Sequence, residues 1–294
     1  MFIEQAHTGK NNWFLYILTV LIVFIAIQIA SLPLLVYLLV TNPGALQNGG
    51  LETMTNTNLG LALTLFTFVA GFFALFLCVR YIHKKNYLDI VTSRPKFDWR
   101  RFFFGAGVWT VLSLITILIT IYTSENNEII FQFEPASFIG LAIISLLLLP
   151  FQTAFEEIMF RGYLMQGFAL FFKSRWTSFI IVSLLFGLMH GANPEVKNFG
   201  AEVTMPQYIA MGLILGFIAL KDEGLELAIG LHAANNILMA LAFTSDSSAL
   251  QTHALFKDLN PSVSHLDTLI LLIAGIIFIA VCNRKYRFLH DGLK

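Results

Sequence analysis

Residues 13–40 run for 28 positions without a single charge, and residues 59–79 and 102–123 are uncharged and about as long as a bilayer requires. A membrane-spanning helix needs roughly 17–25 mostly apolar residues, so these three runs alone commit the chain to a lipid environment. A fourth run, 137–155, leads straight into Glu156 and Glu157, and shorter apolar stretches follow at 176–190, 205–220, 227–243 and 266–282. Eight segments result, and the expected fold is an all-α polytopic membrane protein of about eight transmembrane helices with its polar residues inside the bundle. Only 12% of the residues are charged against 57% hydrophobic, where soluble domains carry about a quarter charged residues. The first run is too long for a signal peptide and reads as a retained span.

Lysine and arginine set the orientation, because they accumulate on cytoplasmic loops. Counted on alternate faces of an eight-span chain, 15 fall on one side and two, Lys197 and Lys257, on the other, with Arg161 at the end of the fourth span. This split places both termini in the cytoplasm. Lys and Arg total 18 and so do Asp and Glu; a neutral chain without a basic block offers no footprint for nucleic acid. Cys78 and Cys282 have neither metal-type spacing nor a disulfide framework and read as packing residues. Gly44, Gly49 and Gly50 mark the first external loop, and 246–261 the last. No repeat of 20–50 residues recurs, so residues 1–294 read as one membrane domain.

Ionisable groups inside a hydrocarbon segment are expensive and functional by default, and they cluster in three places: Glu156-Glu157-x-x-x-Arg161, Phe186-x-x-x-His190 and His232-x-x-x-Asn236. Glu157 and Arg161 are four residues apart, share a helix face and should pair. Glu156 lies about 100° around the same helix and is left without that partner, which suits general acid or base work. The bland alternative, an ion-pair knot that fixes packing, accounts for Glu157 and Arg161 but not for two additional histidines and Asn236 on further spans. Glycine pairs at 187/191 and 212/216 would let those helices approach closely.

In this order and on separate spans, the three motifs resemble those of the CPBP intramembrane proteases, which include the type II CAAX prenyl endopeptidases and bacterial proteins of bacteriocin processing and immunity. The resemblance covers residues 137–240, the expected catalytic core, and continues through Phe160-Arg161-Gly162-Tyr163-Leu164 and Gly212–Gly216. It implies peptide-bond hydrolysis at the membrane on a peptide or protein substrate. Glu156 would activate water with help from His190, His232 and Asn236 would stabilise the oxyanion, and Glu157, Arg161 and Phe186 would support them. It also leaves a zinc reading open, with Glu156, His190 and His232 as ligands of a catalytic ion. The chain lacks the helical His-Glu-x-x-His arrangement of soluble zinc proteases, and a water activated by glutamate, without a cofactor, is favoured. Competing readings are a non-catalytic immunity or scaffold protein of the same fold and a transporter, the latter disfavoured by the lack of an inverted repeat.

Two further expectations concern depth. Residues 191–204 read as a loop that either gates the site or is merely solvated. Ideal straight helices place Glu156 and His232 toward the cytoplasmic side and His190 too far out, which calls for a tilted fifth span or for residues 162–174 folding back into the inner leaflet.

Overall fold

The computed structural model describes residues 1–41, 57–123 and 128–289; Gly44, Gly49 and Gly50 lie outside them. Eleven α-helices are found among these residues: α1 Trp13–Ala30, α2 Leu32–Thr41, α3 Asn58–Leu77, α4 Trp99–Thr123, α5 Pro135–Glu157, α6 Met165–Phe172, α7 Arg175–Met189, α8 Pro194–Phe199, α9 Ala201–Lys221, α10 Glu226–Ala242 and α11 His265–Tyr286. Six helical stretches are long and apolar enough to cross a membrane, and α7 and α10 are shorter apolar helices. The protein is a helical, polytopic membrane protein. The first apolar run is broken at Ser31 between α1 and α2, where Pro33 cannot donate a helical hydrogen bond.

A small departure from the all-helical expectation is a three-stranded sheet in the order β1-β3-β2, formed by β1 Ile129–Phe131, β2 Phe243–Thr244 and β3 Phe256–Asp258. It lies at the end of the bundle where α10 stops. β1 pairs with β3 antiparallel and β2 with β3 parallel.

The fourth span is longer than its sequence suggests. The helix does not end near Phe155 or fold back after Gly162. It passes through a π-helical segment, Ile158–Leu164, directly into α6, so that Pro135–Phe172 is one apolar helical stretch of 38 residues. Lys173, in the left-handed conformation (φ 52°), then turns the chain into α7, which starts behind the Ser174 cap. Glu156 therefore lies 16 residues before the end of α6 and His190 15 residues after the start of α7. Distance from one shared turn brings the two level, without the tilt that straight separate spans seemed to require.

Glycines set the closest approaches. A methyl on Gly212 would meet the Ser183 carbonyl at 2.7 Å, and Gly216 stands against Phe179, so α9 lies backbone-to-backbone on α7. At Gly162 even a methyl would run into the Ile90 carbonyl. Between residues 190 and 201 the expected loop is largely helical, as α8, and α9 begins at Ala201 rather than at Met205.

The basic end of the bundle is closed by polar contacts. Arg94 reaches Glu226 at 3.0 Å and Asp222 at 3.3 Å, and Arg101 also contacts Asp222, pinning the start of α4 to the α9–α10 turn. The 3-10 turn Ile3–His7 packs on α6, and buried Lys85 donates its Nζ to the Ala6 carbonyl at 2.7 Å. Burial lowers the Lys85 pKa to about 8.

Candidate active site

Beyond the π-helical segment the two arms of the α5–α6/α7 hairpin part. α5 goes on to pack against α3 and α10, and α7 against α9. The motif residues gather where they diverge. Glu157 and Arg161 are fully buried, and Arg161 donates from its terminal guanidinium nitrogen to Glu157 Oε1 at 2.9 Å. The second terminal nitrogen reaches the Gly212 carbonyl at 3.3 Å, and the guanidinium carbon lies 4.0 Å above the Phe186 ring. A buried cation is thus met by a carboxylate, a carbonyl and an aromatic face, the three kinds of partner that offset its desolvation.

The same Glu157 Oε1 accepts from His232 Nδ1 at 2.8 Å. Because a carboxylate committed to an arginine can only accept, Nδ1 of His232 carries a proton and Nε2 is the nitrogen turned toward Glu156. Nε2 and Glu156 Oε2 are 3.6 Å apart, too far for a direct hydrogen bond, and Glu156 Oε2 is buried with no hydrogen-bond partner. The other oxygen, Oε1, accepts from Gln152 Nε2. Asn236 donates to Gln152 Oε1 at 2.9 Å, Asn235 to Asn236 at 3.1 Å, and the Trp109 indole to Asn235 at 3.1 Å.

His190 joins this group through an aromatic ring. Phe186 stands with ring centroids 4.7 Å from His190 and 6.0 Å from His232. Nδ1 of His190 lies 2.7 Å from the Phe186 carbonyl, which fixes the proton there, while Tyr208 stacks on the imidazole at 4.6 Å. Tyr208 in turn accepts from Asn193 at 3.1 Å.

Glu156, Glu157, Arg161 and His232 are therefore linked by direct polar contacts or near-contacts, Asn236 joins them through Gln152, and Phe186 stands between His232 and His190. Gln152, Tyr208, Asn235 and Trp109 were not singled out from the sequence. Gln152 left a signal, since it stands four residues before Glu156 on the same face; the others became legible only when separate helices met. Among the described residues no group of three His, Cys, Asp or Glu comes together closely enough to hold a metal ion.

No solved structure matches the chain. An uncharacterized protein, YyaK, of Bacillus subtilis (strain 168) is 28% identical over 243 residues, which cover 82% of this chain and 81% of that relative. Residues 135–238, the stretch that supplies Gln152, both glutamates, Arg161, both histidines and Asn236, match the family model of the type II CAAX prenyl endopeptidases, Rce1-like, the membrane proteases that the three motifs resemble.

Proposed function

We propose that this protein is an intramembrane endopeptidase that cleaves a peptide bond of a membrane-associated substrate, with Glu156 as the base that activates water. The observation that carries this reading is the buried face-off between Glu156 Oε2, without a hydrogen-bond partner, and His232 Nε2, 3.6 Å away. A water seated between a carboxylate and an imidazole is oriented by both, and in a poorly solvated site each contact is stronger than in bulk water. Glu156 takes one proton of the water. The oxygen forms a bond to the scissile carbonyl carbon as the carbonyl electrons move onto their oxygen. Asn236 uses one amide hydrogen on Gln152 and keeps a second, which can serve that oxyanion; His232 joins it as an imidazolium from the outset, with Nδ1–H on Glu157 and a second proton already on Nε2 before the attack. As the C–N bond breaks, Glu156 returns its proton to the departing nitrogen, leaving a carboxyl and an amine terminus. His190, whose ring packs on Phe186 and Tyr208, is assigned the assisting role that the family resemblance implies. Glu157 and Arg161 fix His232 and the helix that carries Glu156.

The family match and the lipid setting support a peptide anchored at the membrane as substrate; we take a prenylated C-terminal peptide as the first candidate and a bacteriocin-type peptide as the second. Both termini face the cytoplasm in this reading. Purified protein in lipid nanodiscs, given prenylated and unprenylated tethered peptides, should yield defined fragments by mass spectrometry, and Glu156→Gln should abolish them while leaving a folded protein. Fragments produced equally by Glu156→Gln would overturn the assignment of the base, and a wild type that cleaves neither peptide would overturn the reading.

A further inference from the structure

A chain of hydrogen bonds that no motif contains ends on the carboxylate assigned as base. It starts at Trp109 on α4, passes Asn235 and Asn236 on α10 and Gln152 on α5, and reaches Glu156 Oε1. An amide side chain can ordinarily be turned either way round, so its donor and acceptor ends carry no information on their own. Here the first member removes the choice. An indole N–H can only donate, so it demands the oxygen of Asn235. Asn235 must then present its NH2 to the oxygen of Asn236, Asn236 its NH2 to the oxygen of Gln152, and Gln152 its NH2 to Glu156. The opposite side is fixed as firmly, because Arg161 can only donate to Glu157 and His232 Nδ1 donates to the same oxygen. Trp109 is 3% exposed and Gln152 8%, so the two ends of the chain are shielded from water, while Asn235 and Asn236 between them are half-buried.

We infer that Trp109, Asn235 and Gln152 form a relay of one fixed polarity that divides the two oxygens of Glu156, holding Oε1 as an acceptor and leaving Oε2 as the oxygen that takes the proton. Gln152 is then a positioning residue, and Trp109, three hydrogen bonds away, closes the far end of the chain with the same polarity that the accept-only carboxylate imposes at the near end. The same relay orients the Asn236 amide, so its second hydrogen faces one direction only.

The inference rests on the proposed peptidase reading, and a double-mutant cycle tests it. Gln152→Leu removes the last link and Trp109→Phe removes only the indole donor while filling most of the ring's space. Hydrogen bonds to a charged group are the strong class, so kcat should fall about tenfold or more in Gln152→Leu and about threefold in Trp109→Phe, with KM nearly unchanged. In the double variant Trp109→Phe should add almost nothing, because its effect travels through Gln152. Sites without shared partners act additively, so a full product of the two losses would overturn the relay. The same cycle read in melting temperature keeps the test independent of turnover: non-additive shifts support the relay even if no substrate is cleaved, and additive shifts refute it. Wild-type protein that cleaves nothing but shows the non-additive melting cycle would refute the peptidase reading and leave the relay standing.

Discussion

Replacing Glu157 by glutamine should destabilise the protein far more than the same change at Glu156, although the two residues are adjacent. Glu157 Oε1 receives Arg161 at 2.9 Å and His232 at 2.8 Å, with both partners buried. A glutamine oxygen can still accept both bonds, so the geometry survives and the charge is lost. Removing one partner of a buried ion pair costs about 3–5 kcal/mol, because the other charge stays uncompensated. The Gly212 carbonyl, the Phe186 face and the nearby Glu156 carboxylate still favour Arg161, which points to the lower end, about 3 kcal/mol. At roughly 2–4 °C per kcal/mol for chains of this size, the melting temperature should fall by about 6–12 °C. Glu156→Gln leaves the Arg161–Glu157 pair intact and should melt within about 2 °C of wild type, the range of a substitution that strands no buried charge. Tryptophan fluorescence during heating in detergent reads all three proteins. The double variant Glu157→Gln/Arg161→Gln removes both charges and should recover at least half of the loss. The reasoning fails if Glu157→Gln melts with wild type, if Glu156→Gln is the unstable one, or if the double variant melts below the single.

Three further outcomes are expected. Cysteines placed at exposed Lys84 and exposed Ser262 should label from opposite faces of sealed vesicles, against a background in which Cys78 and Cys282 are buried; labelling of both from one side would contradict the basic-loop orientation. Active protein dialysed against a strong chelator should retain its activity and contain well under one zinc per chain by elemental analysis, whereas loss restored by stoichiometric zinc would make Glu156, His190 and His232 ligands. Lys85 has a folded pKa of about 8, below its ordinary 10.5, so the unfolded chain binds more protons between those values and stability should rise with pH across that window. A Lys85→Met variant should lose that rise in melting temperature between pH 8 and 10, and an unchanged slope would show that another group is responsible.

The membrane character and the three motifs were legible because they are local: an uncharged run announces a span, and Glu157 and Arg161 four residues apart announce a shared face. Partnerships across helices were not. Spacing gave Glu157 one partner, Arg161, but His232 comes from 75 residues away, and nothing in either neighbourhood specifies that approach. The end of the fourth span was misplaced for a related reason. Two adjacent carboxylates look like a membrane boundary when each is counted as an exposed charge; here Glu157 is neutralised by Arg161 and His232, and the helix continues apolar through Leu164, Met165 and Phe168. Residues 191–204 looked like a loop because Gly191, Asn193, Pro194 and Gly200 are helix breakers, yet Pro194 opens α8, where a missing N–H costs nothing.

The hairpin that carries the site joins helices of very unequal length. Pro135–Phe172, with 38 residues, extends about 57 Å, while α7 with 15 and α10 with 17 extend about 22 and 26 Å. A hydrocarbon layer is about 30 Å thick, so α7, which His190 caps, and α10, which carries His232, are too short to fill it along their axes. α10 is enclosed by α4, α5 and α9, whereas α7 exposes Ile180, Leu184 and Leu188, and lipid against that face is expected to thin. Hydrophobic mismatch of this kind would couple the proposed peptidase to its bilayer: hydration of Glu156 would become a property of the surrounding acyl chains as well as of the protein. Turnover should decline as nanodisc lipids are lengthened from 14 to 22 carbons, and a membrane that thickens would silence the site without any inhibitor binding to it.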